Sequence, residues 1–264
     1  IYGFSSAGEK GFLIPQVLIA IIIGTLSIVL FVIRQLKLDT PLIDLRVFKL
    51  SMFTHAVIMF VIIVMTMFAS ELILPVFMQG AMGLAPALAG LLLLPGSILN
   101  GLLSPFMGAL FDKAGPRVMM IPATMVLSIT MFMFSKLTAD TVPWLLAVGF
   151  MLIMLSISAT MMPAETNGLN ELPKKLYPHG TAVMSTLQPL SGAIGVSVFI
   201  SLYNAKQNQF LQTVAEPTAK ESIRQAMEIA TEYVYFIIFL FTLVTVALSF
   251  FVYRARPKED AAEE

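Results

Sequence analysis

Residues 53–78 read FTHAVIMFVIIVMTMFASELILPVFM, and this stretch decides the fold. Its 26 residues include one charged side chain, Glu71. A helix needs about 20 apolar residues to cross the roughly 30 Å hydrocarbon core of a bilayer. Because lipid offers no hydrogen-bond partners, backbone polar groups there must be satisfied within the segment itself. The stretch therefore predicts a transmembrane α-helix.

Six further stretches have the same character. The seven predicted spans are residues 12–33, 53–78, 86–111, 118–135, 142–164, 180–203 and 233–253. Of the 32 charged residues (16 basic and 16 acidic) in 264, only Glu71 lies inside a span. Seven apolar runs in succession, with the charges confined between them, predict an all-α polytopic membrane protein with seven transmembrane helices.

Composition excludes several classes of function. Charged residues make up 12 % of the chain, about half the usual ~25 %, and the formal net charge is zero, so no nucleic-acid partner is expected. The chain has no cysteine and two histidines, which excludes thiolate chemistry and a multi-histidine metal site. It also lacks the His-Glu-x-x-His and Gly-x-Ser-x-Gly motifs. We expect no enzyme activity and no bound cofactor.

Lys and Arg are distributed unevenly between the two sets of loops. One set, including the C-terminal tail, holds eleven of them and the other holds five. Because basic residues accumulate in cytoplasmic loops, the N-terminal end should be extracellular and the tail cytoplasmic. Trp144 and all six tyrosines lie at or beyond the ends of the predicted spans, where amphipathic rings favour the membrane interface.

The long outer loop, residues 204–232, contains a further helix signal. Thr218 followed by Glu221 is typical of a helix start, and Arg224 and Glu228 form an i,i+4 pair. We expect a short amphipathic helix over 219–231 on the outer membrane surface. A gate or a contact with a partner is the alternative.

Two predicted helices carry small residues along one face. The sets are Gly90, Ser97, Gly101, Ser104 and Gly108 in one helix, and Ala182, Ser185, Pro189, Gly192 and Gly195 in the other. Small faces allow membrane helices to approach closely. Combined with mid-helix prolines they favour a bundle whose helices move, although passive packing explains most such faces.

Glu71, Asn100 and Gln188 are the polar residues of interest inside the spans. A carboxylate at the position of Glu71 is unfavourable unless it is paired, protonated or in contact with water, so it suits a proton carrier or a site for cationic ligands. The alternative is that Glu71 reaches the outer interface. Asn100 and Gln188 either line a cavity or make interhelical hydrogen bonds worth ~0.6 kcal/mol each.

The loop after residues 86–111 reads Gly108-Ala-Leu-Phe-Asp112-Lys113-Ala-Gly115-Pro-Arg117. Gly108 would permit close helix approach, and Gly115 a tight turn. Asp112 would pair with basic residues or a helix N-terminus. Lys113 and Arg117 would keep the loop cytoplasmic. This spacing resembles the loop signature of the major facilitator superfamily.

Two further stretches narrow the resemblance. Residues 75–96 (PVFMQGAMGLAPALAGLLLLPG) and 170–195 (NELPKKLYPHGTAVMSTLQPLSGAIG) resemble the fourteen-helix drug:proton antiporters, the EmrB/QacA group, and are most similar to Gram-positive exporters of the lincomycin-resistance type. The resemblance implies three parts: an inserted helix with its linker (1–52), a six-helix C-terminal bundle (53–254) and a cytoplasmic tail (255–264). The N-terminal bundle of that family is absent from the sequence.

The resemblance also implies a function. The chain would be the C-terminal half of a proton-coupled multidrug exporter in the bacterial cell membrane, with the proton gradient as its energy source. Its substrates would be small hydrophobic, often cationic compounds, moved by alternating access together with an N-terminal half. Glu71 would exchange a proton for substrate, and Asn100 and Gln188 would line the path. The alternative is a truncated membrane subunit or assembly partner that does not transport.

Overall fold

The computed structural model describes residues 14–38 and 41–255. These residues contain seven α-helices and no β-strand. The helices are α1 (Pro15–Lys37), α2 (Ser51–Gly80), α3 (Pro86–Ala114), α4 (Pro116–Phe134), α5 (Pro143–Asn170), α6 (Tyr177–Leu211) and α7 (Lys220–Phe250). All seven are long and apolar enough to cross a membrane, which confirms the predicted number of spans.

Helices α2 to α7 form one bundle. Helix α2 lies at its centre, packed mainly against α5, α6 and α7, while α4 packs between α5 and α7. Helix α3 packs almost entirely on α5. Among the described helices, α1 contacts only the short 3-10 helix Leu45–Lys49, so it stands apart from the bundle. Residues 1–13 of the predicted inserted-helix part, and the predicted tail after Ala255, lie outside the described residues.

The small face of α6 is closely packed at two of its five positions. A Cβ atom added to Gly195 would lie 2.7 Å from the Cα of Met65, and one added to Gly192 would lie 2.8 Å from the ring of Phe68. Both neighbours belong to α2. Glycine at these two positions therefore lets α6 approach the backbone of α2 more closely than any side chain would allow.

The small face of α3 is different. A Cβ added to Gly90 or Gly101 would meet no atom within 4 Å, and one added to Gly108 would make only an ordinary 3.5 Å contact with Met162. Within the described bundle no helix therefore packs closely against this face at Gly90 or Gly101. The reason is geometric: α3 turns its flank toward α5, which leaves most of the small face uncovered.

The last helix also differs from the prediction. The sequence predicts a separate surface helix over 219–231, but Lys220–Phe250 forms one continuous helix. Its N-cap is Ala219 instead of Thr218, and no side chain caps it. Tyr235 consequently lies in mid-helix, and it is buried together with Tyr203 inside the bundle. The interfacial interpretation of these two tyrosines is wrong.

Contacts with the loop between α4 and α5 hold the extra turns of α7 in place. They join Glu228 to the backbone N–H of Ala139, Glu232 to Lys136, and Arg224 to Asp140. The helix thus continues beyond its apolar part through polar residues, because a neighbouring loop supplies the partners of these side chains. The surface position predicted for 219–231 is replaced by a contact within the bundle.

The two glycine environments predict opposite effects of adding one methyl group. Gly195→Ala should lower the free energy of unfolding by about 1–3 kcal/mol, since the backbone of Met65 must move. Gly101→Ala is the matched control and should be neutral or stabilising by up to about 1 kcal/mol, because alanine favours helix and nothing obstructs it. Thermal unfolding of this chain by itself, solubilised in detergent, measures both. Equal unfolding midpoints for the two variants would contradict this packing.

Candidate functional site

Glu71 lies on the open side of α2. Its side chain is exposed, whereas Ser70 and Ile73 beside it are fully buried. Phe68 and Pro75, one turn to either side, are half-buried. Within residues 14–38 and 41–255 the carboxylate makes no hydrogen bond or ion pair. The bundle therefore presents an unpaired acid in the C-terminal third of its central helix.

Gln188 lies at a different level of the bundle. It is half-buried on α6, one turn before Gly192, whose neighbour on α2 is Phe68. Glu71 lies three residues after Phe68 on α2, whereas Gln188 lies four residues before Gly192 on α6. The two side chains therefore lie on opposite sides of the Phe68–Gly192 contact, about 10 Å or more apart along the helix axes. Helices α3 and α6 make no contact, so Gln188 and Asn100 are not brought together either.

Asn100 lies in a half-open, mainly apolar cavity between α3 and α5 that also has four polar residues in its lining. The cavity has a volume of about 120 Å³ and is lined by Asn100, Ser104, Ser158 and Glu165, together with apolar side chains. The amide nitrogen of Asn100 lies 3.6 Å from the sulfur of Met154, a weak acceptor. Glu71 does not line this cavity. The carboxylate that shares the cavity with Asn100 is Glu165.

Sequence analysis missed Glu165 because the predicted span ended at residue 164. Helix α5 continues to Asn170, which places Glu165 inside the helix and five residues from its end. The available signal was spacing. Ser158 and Glu165 are seven residues apart, two helical turns, so they share one face of α5.

The loop motif forms the junction of α3 and α4. Gly115 lies between the two helices with φ of +80°, a conformation that only glycine adopts readily. Asp112, Lys113 and Arg117 are exposed, and Gly108 is half-buried. Within the described residues the Asp112 carboxylate has none of the predicted partners. Its backbone carbonyl instead accepts a 2.9 Å hydrogen bond from the guanidinium of Arg254.

A second polar junction ties the C-terminal segment to the bundle. The buried carboxylate of Glu171 accepts one 3.0 Å hydrogen bond from the backbone N–H of Phe53 and another from the hydroxyl of Tyr253. The amide of Asn167 donates to the carbonyl of Tyr253 and accepts from the N–H of Ala255. The start of α2, the end of α5 and the C-terminal segment are therefore joined at one end of the bundle.

These features define a class of protein: a polytopic membrane protein with an exposed carboxylate on its central helix and a second carboxylate in a cavity between two helices. The sequence signature of the Major Facilitator Superfamily matches residues 8–196. The chain belongs to this superfamily of membrane transporters.

Relatives with resistance names match most of the chain. It is 46 % identical to the lincomycin resistance protein LmrB of Listeria innocua over 213 residues, which are 81 % of this chain and 45 % of the relative. It is 39 % identical to LmrB of Bacillus subtilis over 258 residues, 97 % of this chain and 54 % of the relative. A multidrug resistance protein B homolog of Mycobacterium tuberculosis is 25 % identical over 213 residues, 79 % of this chain and 39 % of the relative. The chain spans about half the length of these relatives.

The Glu171 junction predicts the effect of removing one hydroxyl. Tyr253→Phe should lower the free energy of unfolding by about 1–2 kcal/mol, because a hydrogen bond to a buried carboxylate is lost. Ser51→Ala is the control, since the Ser51 hydroxyl contacts the same tyrosine hydroxyl at 3.3 Å from the exposed side. Chemical unfolding in detergent measures the difference. A loss for Ser51→Ala as large as that for Tyr253→Phe would refute the assignment.

Proposed function

We propose that this chain is the C-terminal half of a drug exporter driven by the proton gradient. The observation that carries the proposal is the uncovered small face of α3, in a chain that spans about half the length of its resistance-named relatives. The exporter works by alternating access, with two bundles rocking around a central site. The second bundle is an N-terminal half, in the same polypeptide or a separate one.

The open helix faces support a second bundle. Gly90 and Gly101 on α3 have no neighbour within 4 Å of an added Cβ, and Ser185 and Pro189 on α6 are exposed. In lipid, small residues contribute to stability only when another helix packs against them. An N-terminal bundle facing α3 and α6 supplies that contact. A surface of small residues also allows the two bundles to slide past each other during transport.

The relatives' names suggest the substrates. Proteins named for lincomycin resistance and for multidrug resistance match most of this chain, so we infer small hydrophobic, often cationic drugs as cargo. Glu71 exchanges a proton for substrate. Its unpaired carboxylate on an open helix face favours this role. Asn100 and Gln188 line the path at two separate levels.

We also propose an orientation and a division of the chain. The eleven-to-five distribution of Lys and Arg places the N-terminal end outside the bacterial cell and the C-terminal tail in the cytoplasm. Helix α1, which stands apart, is the inserted helix of the fourteen-helix group, and α2 to α7 are its C-terminal bundle. The loop of Asp112 then faces the cytoplasm.

Removing the charge of Glu71 tests proton coupling. In the protein with both halves, Glu71→Gln should abolish proton-driven export of cationic drugs, since glutamine has the same shape but carries no exchangeable proton. Ethidium efflux and acidification of everted vesicles measure the two fluxes. Glu216→Gln, an exposed loop substitution, is the control and should behave as wild type. Unchanged export of several chemically distinct drugs by Glu71→Gln would overturn this role.

The loop motif allows a separate test. Asp112→Asn should slow the transport cycle while leaving substrate affinity unchanged, because the exposed carboxylate lies at the junction of α3 and α4, away from the proposed path. Turnover in proteoliposomes and equilibrium drug binding, measured on the same preparation, separate the two effects. Normal turnover would refute a part for Asp112 in the cycle.

A further inference from the structure

The polar lining of the cavity between α3 and α5 has few hydrogen-bond partners in the protein. Ser158 is 4 % exposed, and its hydroxyl oxygen makes no hydrogen bond. Within residues 14–38 and 41–255, neither the carboxylate of Glu165 nor the hydroxyl of Ser104 has a hydrogen bond or ion pair. The partner of Asn100 is a weak one, the sulfur of Met154. Of these groups Ser158 is the buried one, and a buried hydroxyl without a partner is destabilising, so a ligand that hydrogen-bonds it would remove that cost.

The polar groups of the lining determine which kind of ligand the cavity can bind. A carboxylate only accepts hydrogen bonds, an amide oxygen accepts, and a serine hydroxyl does either. No Lys, Arg or His lines the cavity, so its charge is complementary to a cation that donates hydrogen bonds. The lining supplies one carboxylate and three neutral side chains, so a Ca²⁺ ion there would depend on waters for part of its six to eight oxygen ligands. An ammonium group, with N–H donors in several directions, fits this set.

The size of the cavity sets a limit on the ligand. A water molecule needs ~10–15 Å³ of such volume, so a cavity of about 120 Å³ accommodates a charged amine with a few waters but not a complete drug. Met161 and Met162 form part of the wall. Methionine side chains adapt to hydrocarbon of different shapes, which suits the carbon skeleton attached to the amine.

We propose that this cavity binds the protonated amine of a small organic cation, with Glu165 as its counter-ion and Asn100, Ser104 and Ser158 accepting its N–H hydrogen bonds. The place of this site in transport rests on the proposed function. In the proposed orientation Glu165 lies near the cytoplasmic end of α5. An exporter takes up its substrate from that side. Glu165 would then receive the cationic group, while Glu71, nearer the outer side, would exchange the proton.

Binding of a fluorescent amine tests the proposal directly. The probe is dansylcadaverine, a primary ammonium at neutral pH, and its neutral N-acetyl derivative is the reference. The full-length protein purified in detergent should bind the amine with an affinity that Glu165→Gln lowers by at least about tenfold, because the counter-ion is lost. The same substitution should leave binding of the N-acetyl derivative unchanged. Glu216→Gln is the matched control and should bind both probes as wild type does.

A second variant removes only the buried hydroxyl. Ser158→Ala should keep or raise the thermal stability, since the hydroxyl is unsatisfied without a ligand, and should lower the affinity for the amine by about threefold. This variant decides the question if Glu165→Gln does not fold. Amine affinity equal to wild type in either folded variant would overturn the site, and so would an equal loss of affinity for the N-acetyl derivative.

The outcome is independent of the export assay. Loss of amine binding in Glu165→Gln, combined with no drug efflux by the complete wild-type protein, would support the cation site and refute the proposed function. Drug efflux by wild type, combined with unchanged amine binding in Glu165→Gln, would do the reverse.

Discussion

Helices in a bilayer gain no hydrophobic free energy by associating with one another, and the rest of this structure depends on that constraint. Lipid tails are as apolar as leucine, so the bundle depends on van der Waals contact between closely packed helices. The contact of α6 with α2 meets this requirement, because Gly192 and Gly195 bring the helix against Phe68 and the backbone of Met65. On α3 the same kind of surface has no neighbour at Gly90 or Gly101 in the described part of the chain.

The same constraint makes the few polar groups informative. At the ends of the bundle the structure satisfies them: Glu228 and Glu232 hold α7 to the loop between α4 and α5, and Glu171 joins the start of α2 to the C-terminal segment. Two carboxylates are different. Glu71 is exposed on the central helix, and Glu165 lines a cavity with an unsatisfied serine. An exporter of cations requires acids that are available to a proton or a ligand, and these two are.

Much of the fold follows from the absence of charge in long stretches of sequence. All seven helices were found in this way, because an uncharged run of about 20 residues has few other stable structures. Helix ends were less predictable: the sequence predicts a separate surface helix over 219–231 and a span that starts at residue 233, whereas α7 is continuous over Lys220–Phe250. Arg224 and Glu232 lie inside α7 because their partners, Asp140 and Lys136, are supplied by a loop roughly ninety positions earlier in the chain. A local pattern contains no information about such pairs.

The candidate site was only partly predictable for the same reason. Asn100 is recognisable as an amide in an apolar run, but its neighbour Glu165 lies on another helix, beyond the predicted end of that span. The small faces of α3 and α6 look alike in sequence. The sequence does not indicate that Gly195 packs against α2 whereas Gly101 is open, because the difference depends on which helices surround each face.

The central claim is that transport requires a second bundle against the open faces of α3 and α6. The most direct measurement is ethidium efflux from cells that produce this chain alone, the remaining part of the 39 %-identical Bacillus subtilis relative alone, or both together. We expect efflux only when this chain and the remaining part of the relative are both present. Equal efflux by this chain alone, or no efflux when both parts are in the membrane and co-purify, would contradict it.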